Sequence, residues 1–511
     1  MKAKIRNQIA RRKRRLRRRL DKNDTRGSER PVMTATNIVY EIGDRTRATN
    51  IGGIAAIHQL VKQLGLDAAI DQHLELLKFH LPYHESDHVL NIAYNLLAGG
   101  TCLEHLELRR SDEAYLDALG ARRVPDPTTA GDFCRRFTAE DIDVLQGVFN
   151  ETRLKVWRQQ SASFLAEAVI EADGTMIETY GECKQGIDIN YQGQWGYHPL
   201  LVSLANTGEP LFVVNRPGNR PSHEQAAGYL DQAIELARRA GFRKITLRGD
   251  TDFTQTADLD RWDGEGVRFV FGIDAMPNLY EMAETLGKDA WKRLERSAQD
   301  AGTTRPRQRP VNVKQQVVER RGFEDIRLVQ EYVAEFAYRP RLCRTVYRVV
   351  AVWKDLEIHC GQRKLFDDSR CLFYITNDWE KAAEEIVFEA NARCNQEKLI
   401  EQLKNGVHSF SAPVDNLHSN WAYMVMASLA WSLKAWAALV LPEEGRWQAK
   451  HQAEKQKLLR MGFSTFRRAL IEVPAQIVRS GRRIICRLLA WNPWQHVFFR
   501  LVDQLRRPLR C

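Results

Sequence analysis

Between residues 166 and 274 the hydrophobic pattern changes period several times, and that succession limits the fold more tightly than any other feature of the chain. Three strand-like stretches come first, "AEAVIEADGT", "GYHPLLVSLANTGE" and "PLFVVNRPGN", separated by turn residues. A helical segment follows, "SHEQAAGYLDQAIELARRAG", then the strand "KITLRGD", a short helical piece, and the strand "VRFVFGID". Three strands in hairpin order, then helix, strand, helix, strand, require a mixed sheet with helices on its faces. The first strand ends in Asp173 and the fourth in Asp250. In an open α/β sheet, chemistry is placed where residues leave the strand ends. In this order the two strands lie side by side, so the two aspartates converge. Carboxylates that close repel, raise each other's pKa, and are best relieved by a divalent cation. Taken singly, each aspartate reads as a turn residue or cap, the common role of a strand-end Asp. Glu171, with the strand parity of Asp173, and Asp252, in the turn after Asp250, compete for the same role.

The rest of the chain arranges itself around this block. At 511 residues it is too long for one compact core. Residues 1–35 form a basic arm, expected to be disordered or helical only on a polyanion. Residues 1–30 hold fourteen Lys or Arg against three acids, an excess of eleven, which equals the net charge of the whole chain. Such a run, with Arg14, Arg15 and Arg18 at its centre, favours a nucleic-acid backbone, because each neutralised phosphate releases counterions. Residues 36–160 read as a helical, DNA-binding region. There "DPTTAGDFCRRF" offers Asp126 as N-cap, Pro127 at the first helical position, then Arg135 and Arg136, either in a DNA-reading helix-turn-helix or in a plain bundle. Residues 161–275 are the first part of the α/β core and 276–370 a mostly β insertion with alternating Val, Tyr and Trp. Residues 371–445 return to the core, with 379–404 expected as one long helix, and 446–511 are expected to be helical.

Other classes fit less well. Nine cysteines without a CxxC pair argue for reduced thiols and against a disulfide framework or structural zinc. His80, His84 and His88 share helical spacing, but Pro82 interrupts any helix that would align them, so no metal site is expected there. The apolar stretch 421–442 contains Lys434, Ser428 and Ser432 and reads as a buried helix, not a membrane span. No apolar secretory segment opens the chain.

The stretch "NARCNQEKLIEQLK" (391–404) supplies a third acid. Wound as a helix, it sets Arg393, Glu397 and Lys404 within about 40° of one another. Alone this reads as an i,i+4 ion pair on a solvated edge. With two strand-end aspartates, Glu397 completes a three-carboxylate set for two metal ions about 3.5–4 Å apart. Together "IEADGT", "LRGDTDF" and "NARCNQEKLIEQLK" resemble the three motifs of the DDE transposases of bacterial insertion sequences. The similarity is narrower still to the group numbered thirteen-eighty within the number-four superfamily, and it spans roughly residues 50 to 500. The family signature around the third acid is Tyr, two residues, Arg, three residues, Glu, six residues, Lys. Arg393, Glu397 and Lys404 match it, whereas Ala390 stands at the Tyr position.

The resemblance implies an RNase H-like α/β core with a β insertion and helical flanking regions. It implies Asp173, Asp250 and Glu397 as catalytic and metal-binding acids for two Mg²⁺, with Mn²⁺ as the alternative. Arg393 and Lys404 would contact DNA phosphates beside the acids. The implied activity is strand cleavage at transposon ends, then attack of the freed 3′-OH on target DNA. The implied partners are terminal inverted repeats, target DNA and a second copy of the chain, in a bacterial cytoplasm at the nucleoid, with no membrane and no small-molecule cofactor. A metal-dependent nuclease on the same fold, or a non-catalytic DNA-binding derivative, are the alternatives.

Overall fold

The computed structural model describes residues 3–21, 35, 38–41, 46–181, 184–295, 324–360, 363–481 and 483–507. The chain opens with α1 (Ala3–Leu20) and β1 (Ala48–Thr49). A helical region follows: α2 (Ile54–Leu64), α3 (Leu66–His73), α4 (Glu85–Leu97), α5 (Leu106–Arg110), α6 (Glu113–Leu119), α7 (Pro127–Cys134) and α8 (Ala139–Trp157). Local chemistry sets these boundaries. Asp126 accepts the amide of Thr129 at 2.8 Å with Pro127 behind it, and Thr138 caps α8 through the amide of Asp141.

Next come β2 (Glu167–Gly174), the short β3 (Ile177–Glu178), β4 (Asp188–Ile189) and β5 (Trp195–Tyr197), then β6 (Leu200–Leu204) and β7 (Glu209–Val214). After α9 (Ala226–Ala240) the chain forms β8 (Lys244–Gly249), α10 (Leu259–Gly264), β9 (Arg268–Ile273), α11 (Pro277–Glu284) and β10 (Lys292–Arg293). Three long strands follow: β11 (Glu324–Tyr338), β12 (Tyr347–Cys360) and β13 (Arg363–Thr376). The remaining elements are α12 (Ala383–Asn391), α13 (Cys394–Glu401), α14 (Leu417–Leu439), α15 (Gln448–Arg460), α16 (Phe463–Phe466), β14 (Ala475–Ser480), β15 (Arg483–Leu488) and α17 (Gln495–Gln504).

Among the described residues nine strands make one mixed sheet, in the order β10-β11-β12-β13-β9-β8-β2-β6-β7. Strands β2, β8 and β9 run parallel; every other neighbouring pair is antiparallel. The insertion is therefore not a separate layer. Strand β13 pairs antiparallel with β9, Phe373 opposite Ile273, so the long strands continue the core sheet from its open edge. The boundary expected at residue 370 falls inside β13, because that strand serves both regions.

Helix α14 is the centre of the packing. It is long and apolar enough to cross a membrane by length and composition, yet it is buried from Ser419 to Leu439, against β7, α4, α8 and α15. A helix apolar on every side needs burial on every side, and here other helices and the sheet supply it.

Three expectations are corrected. The basic arm, expected to lack structure by itself, is helical over Ala3–Leu20. Arg12 Nη1 donates to the carbonyl of Leu488 at 2.7 Å and the Lys13 ammonium stands over the Trp491 ring, contacts that offset part of the self-repulsion. Residues 22–34 lie outside the described residues. The stretch 379–404 is not one helix. Helix α12 ends at Asn391, the chain turns at Ala392 and Arg393, α13 runs to Glu401, and a π turn spans Gln402–Gly406. The tail is not helical throughout, because Pro474 blocks helix continuation and Gly481, at φ 57°, turns the chain between β14 and β15. This hairpin pairs with β1, Ala48 opposite Gln476.

Candidate active site

The parallel pairing of β2 and β8 sets the level of the first two acids. Glu171 lies opposite Arg248 in register, and two residues further on each strand the chain reaches Asp173 and Asp250. Identical parity sends all four side chains to one face, as an inner and an outer pair. The inner pair is a buried ion pair, Arg248 Nε donating to Glu171 Oε1 at 2.7 Å, while Arg248 Nη1 donates to the Glu389 carbonyl at 2.9 Å. Glu171 is thus the anchor of Arg248, which in turn holds the end of α12 against the sheet. Asp252 is an exposed turn residue whose amide donates to Asp250 Oδ1 at 3.1 Å.

The outer pair meets the third acid through a single guanidinium. Arg393 Nη1 lies 3.4 Å from Asp173 Oδ2 and 3.3 Å from Asp250 Oδ2, and Nη2 lies 3.4 Å from Glu397 Oε1. The turn at Ala392 and Arg393 swings this side chain onto the strand ends, and the i,i+4 spacing on α13 brings Glu397 with it. The cluster grades from inside outward: side-chain exposure is 14% for Asp173, 32% for Asp250 and 57% for Glu397. Gly174 permits the close approach of the next layer, since a Cβ there would stand 2.8 Å from His198 Cε1 and 3.2 Å from Ser222 Cβ.

Burial pushes the Asp173 carboxyl up to about 7; the charge of Asp250 adds to this and Arg393 opposes it. Asp250 is also raised, again chiefly by burial. Two half-buried carboxylates with raised pKa values, and a third acid at the solvent side, are hard oxygen donors short of positive charge. That donor set fits divalent cations of the Mg²⁺ type, which accept carboxylate oxygens and keep water and substrate oxygens in their remaining places.

The other sequence candidates separate from this cluster to different degrees. Lys404, in the π turn, donates to the Met176 carbonyl at 2.7 Å; burial lowers its pKa, while the charges of Glu178 and Asp173 act in the opposite direction. Arg135 follows α7 and is held by Asp415 and Asp132, and Arg136 reaches the Leu76 carbonyl. Arg14, Arg15 and Arg18 are exposed on α1. Ala390 lies in the apolar cluster with Val270, Val333, Val350 and Val352 under α12.

The structure adds neighbours that the pattern reading did not select. Arg216 is buried, its Nε donating to the His198 carbonyl at 3.0 Å and its Nη1 to the carbonyls of Pro221, Ser222 and Glu224. His198 meets the Arg220 carbonyl through Nδ1 at 3.0 Å. Together they hold residues 217–224 over the end of β2. The available signal was the turn-rich "NRPGNRPSHE" directly after a sheet strand. The small sheet β3-β5-β4, with exposed Tyr180, Tyr191 and Trp195, has strands too short to register as a period.

Three acids from two adjacent strand ends and a later helix meet at one guanidinium. The family model described as Transposase DDE domain group 1 matches residues 38–509. The chain belongs to that family: it is a DDE transposase, an enzyme that acts on DNA with divalent metal ions. No curated protein matches it. Among solved structures, the cryo-EM structure of piggyBac transposase synaptic complex with hairpin DNA is similar at 10% identity and a TM-score of 0.36, over 91% of this chain and 86% of that one.

Proposed function

We propose that Asp173, Asp250 and Glu397 are the catalytic acids of this transposase, on an RNase H-like core formed by β7-β6-β2-β8-β9 with α9 and α13. The observation that carries this reading is the one guanidinium within 3.4 Å of all three carboxylates. Two Mg²⁺ ions, or Mn²⁺ in their place, held by the three acids would supply activation of the attacking oxygen and stabilisation of the leaving one.

The protein's own residues do the rest. Asp173 and Asp250, fixed by paired strands, set one side of the scissile phosphate; Glu397 closes the site from α13. Arg393 balances the acids, and with divalent ions bound its guanidinium would be free to meet a DNA phosphate. Lys404 orders the chain after Asp173 through Met176 and adds positive charge beside the phosphodiester. Water attacks an element end, and the freed 3′-OH then attacks target DNA in line, without a covalent protein intermediate.

Arg14, Arg15 and Arg18 on α1, with Arg135 and Arg136 after α7, contact the inverted repeats and target backbone. Paired ends require two copies of the chain, and the work takes place on the bacterial nucleoid. The arrangement follows the insertion-sequence branch with a β insertion, here the strands β10–β13.

A strand-transfer assay with a pre-cut end tests the reading. Joined product is expected, and Glu397→Ala abolishes it while end binding persists. Lys404→Ala weakens end binding. Hydrolysis without joining would make the protein a nuclease on this fold, and joining by Glu397→Ala would remove Glu397 from the centre.

A further inference from the structure

The segment between α3 and α4 gathers three metal-ligand side chains well apart in sequence from the acids. Glu85, the first residue of α4, is wholly buried. Its Oε1 accepts the amides of Leu76 and Leu77 at 3.1 and 3.0 Å, while Oε2 is buried without a hydrogen-bond donor among the described residues. His80 Nδ1 faces that oxygen at 3.2 Å, and the His84 ring stacks on His80 with centroids 5.1 Å apart. One ligand atom from each of the three residues lies within 4.8 Å of the other two.

The loop achieves what a helix through Pro82 would not. It brings the exposed His80 and His84 rings face to face at an interplanar angle of 10°, so that rotation of the His84 ring carries its nitrogen to the ion, and Glu85 takes the place that spacing alone gives to His88. His88 is instead buried, stacked on Phe133 with centroids 4.3 Å apart.

We propose that His80, His84 and Glu85 bind a divalent transition ion of borderline softness, with Zn²⁺ as the type. Two imidazoles and a carboxylate suit such an ion better than Mg²⁺, which prefers oxygen ligands alone. The 3.2 Å between His80 Nδ1 and Glu85 Oε2 is near the edge, roughly 3.3 Å, of a tetrahedron with arms of about 2.0 Å. The two backbone amides on Oε1 orient the carboxylate as an outer shell does. Oε2 is desolvated and faces only the His80 imidazole, and a cation between the two compensates it. Water takes the fourth place, and the ion ties the 74–84 segment, with its exposed Phe79 and Leu81, to the start of α4.

Cobalt substitution on the full-length chain tests this, with excess Mg²⁺ present to occupy the carboxylate centre. One equivalent of Co²⁺ is expected to give the visible spectrum of a tetrahedral site, displaced by Zn²⁺ and retained in Asp173→Asn. His80→Ala, an exposed loop change, and His84→Ala are each expected to weaken Zn²⁺ binding by about tenfold or more, with circular dichroism unchanged. Absence of the tetrahedral spectrum, its loss in Asp173→Asn, or its survival in both histidine variants would overturn the site.

Discussion

Two clusters of carboxylate and guanidinium sit on the same sheet and are built in opposite ways. At the start of β7, Glu209 is fully buried and accepts Arg153 Nε at 3.0 Å, Trp157 Nε1 at 3.0 Å, Thr207 Oγ1 at 2.6 Å and Trp436 Nε1 at 2.8 Å. Arg153 spends a further donor on the Pro210 carbonyl at 2.7 Å. At the ends of β2 and β8, three carboxylates share Arg393 at 3.3–3.4 Å, and the outermost is more than half exposed. The first cluster is saturated by donors from α8, α14 and its own turn, so its charges are matched within the fold. The second has more negative charge than Arg393 balances, and a path to solvent. Saturation marks a carboxylate whose task is to join elements; a shortage of positive charge marks one that is ready for an incoming cation.

The sharpest way to break this contrast is to neutralise each cluster. Glu209→Gln leaves Arg153 buried without its counter-charge and is expected to lower stability by about 3–5 kcal/mol in urea unfolding. Asp173→Asn, measured without divalent ions, is expected to leave stability unchanged or raise it, because it removes repulsion. Equal destabilisation by both would show that the two clusters are of one kind.

Activity should divide the other way. Glu397→Gln is expected to slow cleavage of a labelled end by about a thousandfold, roughly 4 kcal/mol in barrier, with an unchanged melting temperature. A variant that cuts within tenfold of the parent would place the decisive charge elsewhere.

Smaller effects sharpen the surroundings. Ala390→Tyr forces a ring into the apolar contact under α12, and an overpacking loss of about 1–3 kcal/mol is expected. An unchanged melting curve would show that α12 shifts freely to admit the ring.

Lys434 supplies the contrast of a buried amine with no acid partner among the described residues. Its Nζ donates to the Leu459 carbonyl at 2.8 Å and stands over the Trp431 ring, and burial lowers its pKa to about 7 from 10.5. The unfolded chain therefore holds the extra proton between those values. This group makes stability rise with pH across that window, by at most about 1.4 kcal/mol per unit, and adds no slope below it, where both states are protonated. Urea titrations at several pH values should show this slope, and Lys434→Met should abolish it.

How legible this was depended on sequence distance. The strands carrying Asp173 and Asp250 are apolar runs that stop at an acid, and their parallel adjacency follows from element order, so the meeting of the two side chains could be read in advance. Arg393 and Glu397 share one turn, and their pairing is local. What escaped was non-local. Glu171 is told apart from Asp173 only by Arg248, whose register opposite it comes from the folded sheet. The turn at Ala392 and Arg393 falls among Asn391, Cys394 and Asn395, which are weak helix formers, and Arg248 holds the Glu389 carbonyl where α12 ends. The tail was misread because Ile477, Val478, Ile484 and Ile485 suit both periods, and pairing with β1 decides for strands.

The central claim, that three acids share divalent ions, is tested most directly by counting bound Mn²⁺ with electron paramagnetic resonance. The measurement uses the full-length His80→Ala chain carrying a pre-cut end, so that the loop histidines do not contribute. Fewer bound ions are expected in each of Asp173→Asn, Asp250→Asn and Glu397→Gln. Undiminished Mn²⁺ binding in any one of the three would contradict the shared centre.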